Sequence, residues 1–149
     1  MDSIEEFDKC KTKVLKYIIY KKRTENEIRT KFKNIIEENM LERVIENLKE
    51  TKYIDDKDYI KRAVNNFRNL KNLSIKELEY KLKTKGIDRK LIEEYFYENK
   101  EELIEYEINS ACNIIIKKQK ELDELEIKNY LLKKGYKIDN INKAFEGEK

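Results

Sequence analysis

The sequence has no proline, no histidine and no tryptophan, and only three glycines and two cysteines among its 149 residues. So few turn-formers argue against a sandwich or barrel of many short strands and leave a helical chain as the expectation. Without histidine, the commonest general base and the commonest metal ligand are gone. Cys10 and Cys112 lack a CxxC partner, so neither a zinc knuckle nor a dithiol redox motif is written. Both read as small buried hydrophobes in a reducing compartment. No apolar run approaches the ~20 residues of a membrane span, and the acidic start Met1-Asp2-Ser3-Ile4-Glu5-Glu6 is no secretion signal. A soluble, cytoplasmic protein is expected. The net charge of +3 is too mild to announce a nucleic-acid binder. Composition alone therefore reads as a helical domain with no catalytic residue, no cofactor and no metal.

What is present is repetition. Thr24-Glu25-Asn26-Glu27-Ile28, Ser74-Ile75-Lys76-Glu77-Leu78 and Asp123-Glu124-Leu125-Glu126-Ile127 each open with a side chain able to cap a helix. Each places Glu three residues later, where it can reach back to the cap's own amide. An apolar residue follows each Glu, with another four further on: Ile28 and Phe32, Leu78 and Leu82, Ile127 and Leu131. Lys85-Gly86-Ile87 then matches Lys134-Gly135-Tyr136, with glycine where a helix needs a left-handed end. Ile92 and Phe96 match Ile141 and Phe145, and Val44 and Leu48 fill those places in the first copy. Three copies of one unit predict an all-α fold of tandem three-helix repeats, about nine helices in an elongated, curved array. The units span approximately 7–51, 55–99 and 101–146 of a single domain, 1–149. Their first helices run roughly through 7–21, 56–71 and 101–119, and their closing helices through 39–51, 88–99 and 138–146. Ile60, Val64, Phe67, Leu78, Leu82, Ile92 and Phe96 form the expected core of the middle unit, and Ile104, Ile108, Cys112 and Ile115 one buried stripe of the third. Asp55 and Asp58, then Asp88 and Asp139, read as further caps.

Charge is uneven. Residues 9–33 hold ten basic against two acidic side chains, and residues 71–90 seven against three. Residues 37–58 hold four against eight, and residues 93–107 one against seven. The basic side chains thus gather on the first and middle helices of units one and two, which suggests a polarised surface. Tyr80 shares the face of its helix opposite Leu78 and Leu82 with Lys76 and Lys83, a contact surface for phosphate or acidic protein.

Three stretches resemble the RecX family of bacterial regulators of the RecA recombinase. Arg23-Thr24-Glu25-Asn26-Glu27-Ile28 is similar to the family's Arg-x-Ser-x-x-Glu-Leu pattern. Tyr53-Ile54-Asp55-Asp56-Lys57-Asp58-Tyr59-Ile60 resembles its Tyr-Leu-Asp-Asp … Phe-Ala signature. Lys85-Gly86-Ile87 resembles its Lys-Gly-Ile segment. The resemblance runs from about residue 9 to residue 145. It implies a protein that binds the RecA filament on single-stranded DNA, touches neighbouring protomers and suppresses ATP hydrolysis and strand exchange; the stacked repeats themselves predict an elongated monomer. Contact with single-stranded DNA within the complex is part of that expectation. Joined to the charge map, it nominates Arg23, Arg29 and Lys33 in unit one and Arg62, Arg68, Lys76, Tyr80 and Lys83 in unit two as partner-binding residues. A direct DNA-binding module and a helical-repeat adaptor for an unrelated protein remain the alternatives, because each capped short helix before a glycine turn is loosely like a helix-turn-helix.

Leu78→Ala is expected to cost on the order of 2–4 kcal/mol, as buried leucine truncations do. Urea denaturation that leaves the midpoint unchanged would remove Leu78 from the core.

Overall fold

Each capping box opens a helix at its own position. The computed structural model describes residues 3–70 and 72–147. Among them are nine helices: α1 (Ser3–Tyr20), α2 (Glu25–Phe32), α3 (Glu38–Glu50), α4 (Asp56–Leu70), α5 (Ile75–Thr84), α6 (Arg89–Glu98), α7 (Lys100–Lys118), α8 (Glu124–Lys134) and α9 (Ile138–Gly147). Residue 71, the expected end of α4, lies outside the described residues. All three boxes form reciprocally at Thr24, Ser74 and Asp123. Asp55 caps α4 by accepting from the Asp58 amide at 3.1 Å, and Asp88 caps α6 through the Lys90 amide at 3.0 Å. Asp58 and Asp139 differ from expectation, since both lie inside the first turn of their helices.

The apolar stripes close three separate hydrophobic clusters, one per unit, each built where the first helix packs on the closing helix. In the middle unit Ile60, Val64, Leu78, Leu82 and Ile92 are buried, while Phe67 and Phe96 sit half-buried at its edge. In α7 the buried stripe is rotated from the expected one. Leu103, Tyr106, Ala111, Ile114 and Ile115 turn inward, while Ile104, Ile108 and Cys112 are half-buried. The reason is that α7 serves two clusters, its first turns closing the second and its later turns the third. Cys10 is likewise half-buried at the margin of the first cluster.

Successive units are joined by the same bonds. The Thr24 hydroxyl, which caps α2, also donates to the Lys85 carbonyl at the end of α5, at 2.9 Å. The Ser74 hydroxyl, which caps α5, donates to the Lys134 carbonyl at the end of α8, at 2.8 Å. Beside each bond an ion pair repeats: Lys85 with Glu27 and Lys134 with Glu77, both at 3.7 Å. A carboxylate from the following unit then takes the first free amide of each middle helix. Asp56 accepts from Glu25, and Glu107 from Ile75, both at 2.9 Å. The two glycines sit in these junctions at φ +74° and +98°. A Cβ at Gly86 would fall 2.2 Å from the Asn26 side chain, and one at Gly135 3.0 Å from the Lys76 Cβ. Left-handed backbone and close approach both require glycine here.

The result is extended. The accessible surface is 10163 Å², against about 8,100 Å² for a compact monomer of 18.2 kDa. Solution scattering should accordingly return a radius of gyration clearly above the ~15 Å of a compact chain of this length. A value at or below that figure would mean a closed bundle.

The junction itself is tested by exchanging cap chemistry. Aspartate caps helices as well as serine does, yet a carboxylate cannot donate to a carbonyl. Ser74→Asp should therefore leave α5 capped but lower unfolding stability by about 1–3 kcal/mol, the cost of an unmade buried bond. Asp123→Ser, at an exposed box, should be nearly neutral. Equal effects of the two exchanges in urea denaturation would mean that the hydroxyl only caps.

Candidate functional site

The residues that carry the sequence resemblance converge on the first junction. Ile54 is buried in the first cluster and Ile87 in the second, while Tyr59 packs half-buried on the second. Asp55 and Asp56 divide two tasks, the former capping α4 and the latter reaching the start of α2. Burial holds the Asp56 carboxyl above its ordinary range, against the Glu25 amide that lowers it. Asp58 is held below the usual range by its hydrogen bond to Lys22, with Arg62 adding to the effect. Lys85 supplies the carbonyl that Thr24 grips, and Gly86 the left-handed turn after it. Tyr53, Lys57 and Gly86 are exposed. These residues therefore build the joint between units.

The nominated cations are more occupied than the sequence suggests. Arg23 lies 4.2 Å above the Tyr17 ring, with its Nε buried and without a hydrogen-bond partner. Arg29 is gripped by Glu42 and also meets Glu25 at 3.0 Å, and the two carboxylates raise its pKa. Arg62 pairs with Asp58 at 2.8 Å, Lys83 with Glu79 at 3.0 Å, and Arg68 reaches Glu102 of the next unit at 3.6 Å. Lys33 and Lys76 are exposed and make no ion pair among the described residues. Tyr80 is 68% exposed between them and Lys83 in sequence, on the outer face of α5. The charge map thus overstates the free positive charge: Arg29, Arg62 and Lys83 pair with carboxylates four residues away on their own helices, and Glu42 and Glu102 reach Arg29 and Arg68 from other helices.

Each junction leaves a cleft on one side. The first, about 510 Å³, is lined by Glu25, Arg29, Lys49, Asp55, Asp56 and Asp88 among others. Its charges largely cancel: Glu25 meets both Arg29 and Lys49, and its carboxyl stays lowered despite burial because of those two partners. The second, about 640 Å³, has apolar walls and a lysine rim. A smaller hollow of about 390 Å³ lies between α2 and α3, where Arg29 and Lys33 face Glu38 and Glu42.

Sequence reading missed Glu107. This carboxylate is fully buried and bridges two helix starts, accepting from the amides of Ile75 and Lys137 and from the side-chain amide of Asn140. Helix N-termini favour a negative charge there. Its bond to Ile75 repeats the one Asp56 makes to Glu25, but from the second turn of α7 rather than from a helix start, so the sequence register does not reveal it. Among the described residues, no group of three or more metal-ligating side chains is assembled, and no helix is long and apolar enough to cross a membrane.

Comparison with known proteins agrees with this architecture. No family model matches the chain. The regulatory protein RecX of Finegoldia magna is 33% identical over 148 residues, which cover 92% of this chain and 70% of that protein. RecX of Clostridium beijerinckii is 30% identical, over 91% of this chain and 66% of its own length. RecX of Staphylococcus epidermidis is 32% identical, over 95% and 55%. The chain thus spans from about half to 70% of these relatives. The crystal structure of RecX from Lactobacillus salivarius superposes with a TM-score of 0.80 at 23% identity, covering 97% of both chains. A second regulatory protein RecX superposes with a TM-score of 0.81 at 21% identity, over 97% of this chain and 75% of that one. With the threefold repeat, its glycine-turned junctions and these relatives together, the chain belongs to the RecX family of regulatory proteins.

Proposed function

We propose that the chain is a non-catalytic modulator of the RecA recombinase. It binds the filament that RecA forms on single-stranded DNA and suppresses ATP hydrolysis and strand exchange. Membership of a family of regulatory proteins supports the reading. The observation that carries it is the pair of identical junctions, which hold three units as one extended body. Such a body can spread many modest contacts along a filament, and many weak charged contacts favour fast approach and selectivity over the strength of any one.

A second observation bears on DNA within that complex. Lys13, Lys16 and Tyr20 follow one another along α1, all exposed, with Tyr20 87% accessible. An accessible aromatic beside cations is the arrangement on which unpaired bases stack. Steeply salt-dependent binding of an oligothymidylate without RecA would favour the direct DNA-binding reading.

RecA ATPase on single-stranded DNA, titrated with the protein, is the test. Inhibition is expected, and unchanged hydrolysis at saturating protein would overturn the proposal. Lys33→Glu with Lys83→Glu should raise the concentration for half-inhibition roughly tenfold, as a loss of about 1.4 kcal/mol would. The fold should tolerate both, since the Lys83–Glu79 pair is an exposed one of the kind worth little. Arg62 is left intact because its partner Asp58 also ties Lys22 of unit one to unit two.

A further inference from the structure

The two junctions share one frame, yet their clefts carry opposite linings. In the first, cations and carboxylates neutralise each other. In the second, Phe96, Leu103, Ile104 and Leu132 form apolar walls, and Lys76, Lys100 and Lys137 stand at the mouth. All three lysines are exposed, and none makes an ion pair among the described residues. The two carboxylates within reach are already engaged. Glu79 pairs with Lys83 at 3.0 Å, and Glu107 is buried among its three donors. None of the three rim lysines is therefore paired with a carboxylate among the described residues, although Glu79 and the buried Glu107 also line the cleft. Apolar surface is also left uncovered beside it, with Tyr97 80% and Leu132 45% exposed.

We propose that this second cleft is a docking site for an extended protein segment carrying a bulky apolar side chain flanked by carboxylates. The apolar side chain enters between Phe96, Ile104 and Leu132 and leaves water, which drives association. The flanking carboxylates meet Lys76, Lys100 and Lys137, which fix orientation and reject segments of the wrong charge. Nucleic acid fits the cleft less well. No arginine lines it, and the start of α5, which would otherwise attract phosphate, has its amides taken by Glu107 and Ser74. The cleft belongs to this chain whatever protein supplies the segment, so the proposal does not depend on the RecA reading.

The probe is the capped hexapeptide acetyl-Asp-Glu-Trp-Leu-Glu-Asp-amide. The chain has no tryptophan, so the emission reports the peptide alone. A blue shift saturating with protein concentration is expected, weakening as salt rises. Lys76→Glu with Lys137→Glu should lower the affinity at least about tenfold, while thermal melting by circular dichroism stays close to the parent. Leu132→Asp, at an exposed position, gives a second variant that attacks the apolar wall and should also abolish the shift. Equal binding of the peptide with its carboxylates replaced by amides overturns the proposal, as does unchanged binding by both variants. Displacement of the peptide by an oligothymidylate, or by a second copy of the protein in sedimentation, would assign the cleft to another occupant and equally overturn it. None of these measurements contains RecA, so their failure and the failure of RecA inhibition are separate results.

Discussion

At each joint between units one buried hydroxyl makes two bonds. Thr24 and Ser74 use their oxygen twice, accepting from a helix amide three residues ahead and donating to a carbonyl about sixty residues away. The first bond starts a helix, and the second fixes where the next unit lies. Both hydroxyls are fully buried, so water offers no substitute and loss of either bond leaves a polar group unsatisfied. The flanking ion pairs, the bridging carboxylates of Asp56 and Glu107 and the tight glycine turns all follow from the approach that this bond sets.

Seen this way, the high charge content has a structural purpose. Lys22 with Asp58, Arg68 with Glu102, and Lys85 and Lys134 with their glutamates all run between units. Single exposed pairs contribute little, but these lie around a shared joint whose geometry is already fixed. Clusters of ten or so apolar residues per unit are small. An array of small clusters depends on its joints more than a domain with one large core does.

Local signals were legible in the sequence and distant ones were not. Capping boxes, glycine turns and apolar spacing are set by residues within one turn of each other, so Ile28, Leu78 and Ile127 are buried where the pattern puts them. Phe67 and Phe96 follow the same spacing but lie at the margin. Lys81 covers the Phe67 ring from 5.6 Å, and Phe96 turns to the wall of the second cleft. Glu107 disappeared into an acidic run because its role depends on two helix starts about thirty residues away in either direction. Part of the pairing of Arg29 and Arg68 was hidden for the same reason. Arg29 is basic in the sequence, but Glu42, thirteen positions on, neutralises it.

The third capping box differs from the others by one proton. Asp123 fills the place of Thr24 and Ser74 and starts α8 equally well, but it is exposed, and its carboxylate can only accept. At the opposite end, α2 finishes at Lys33 in right-handed backbone, without the left-handed glycine that presents a carbonyl in the other two units. Among the described residues the hydroxyl-to-carbonyl joint therefore occurs twice, and neither the Asp123 carboxylate nor the right-handed end of α2 reproduces it.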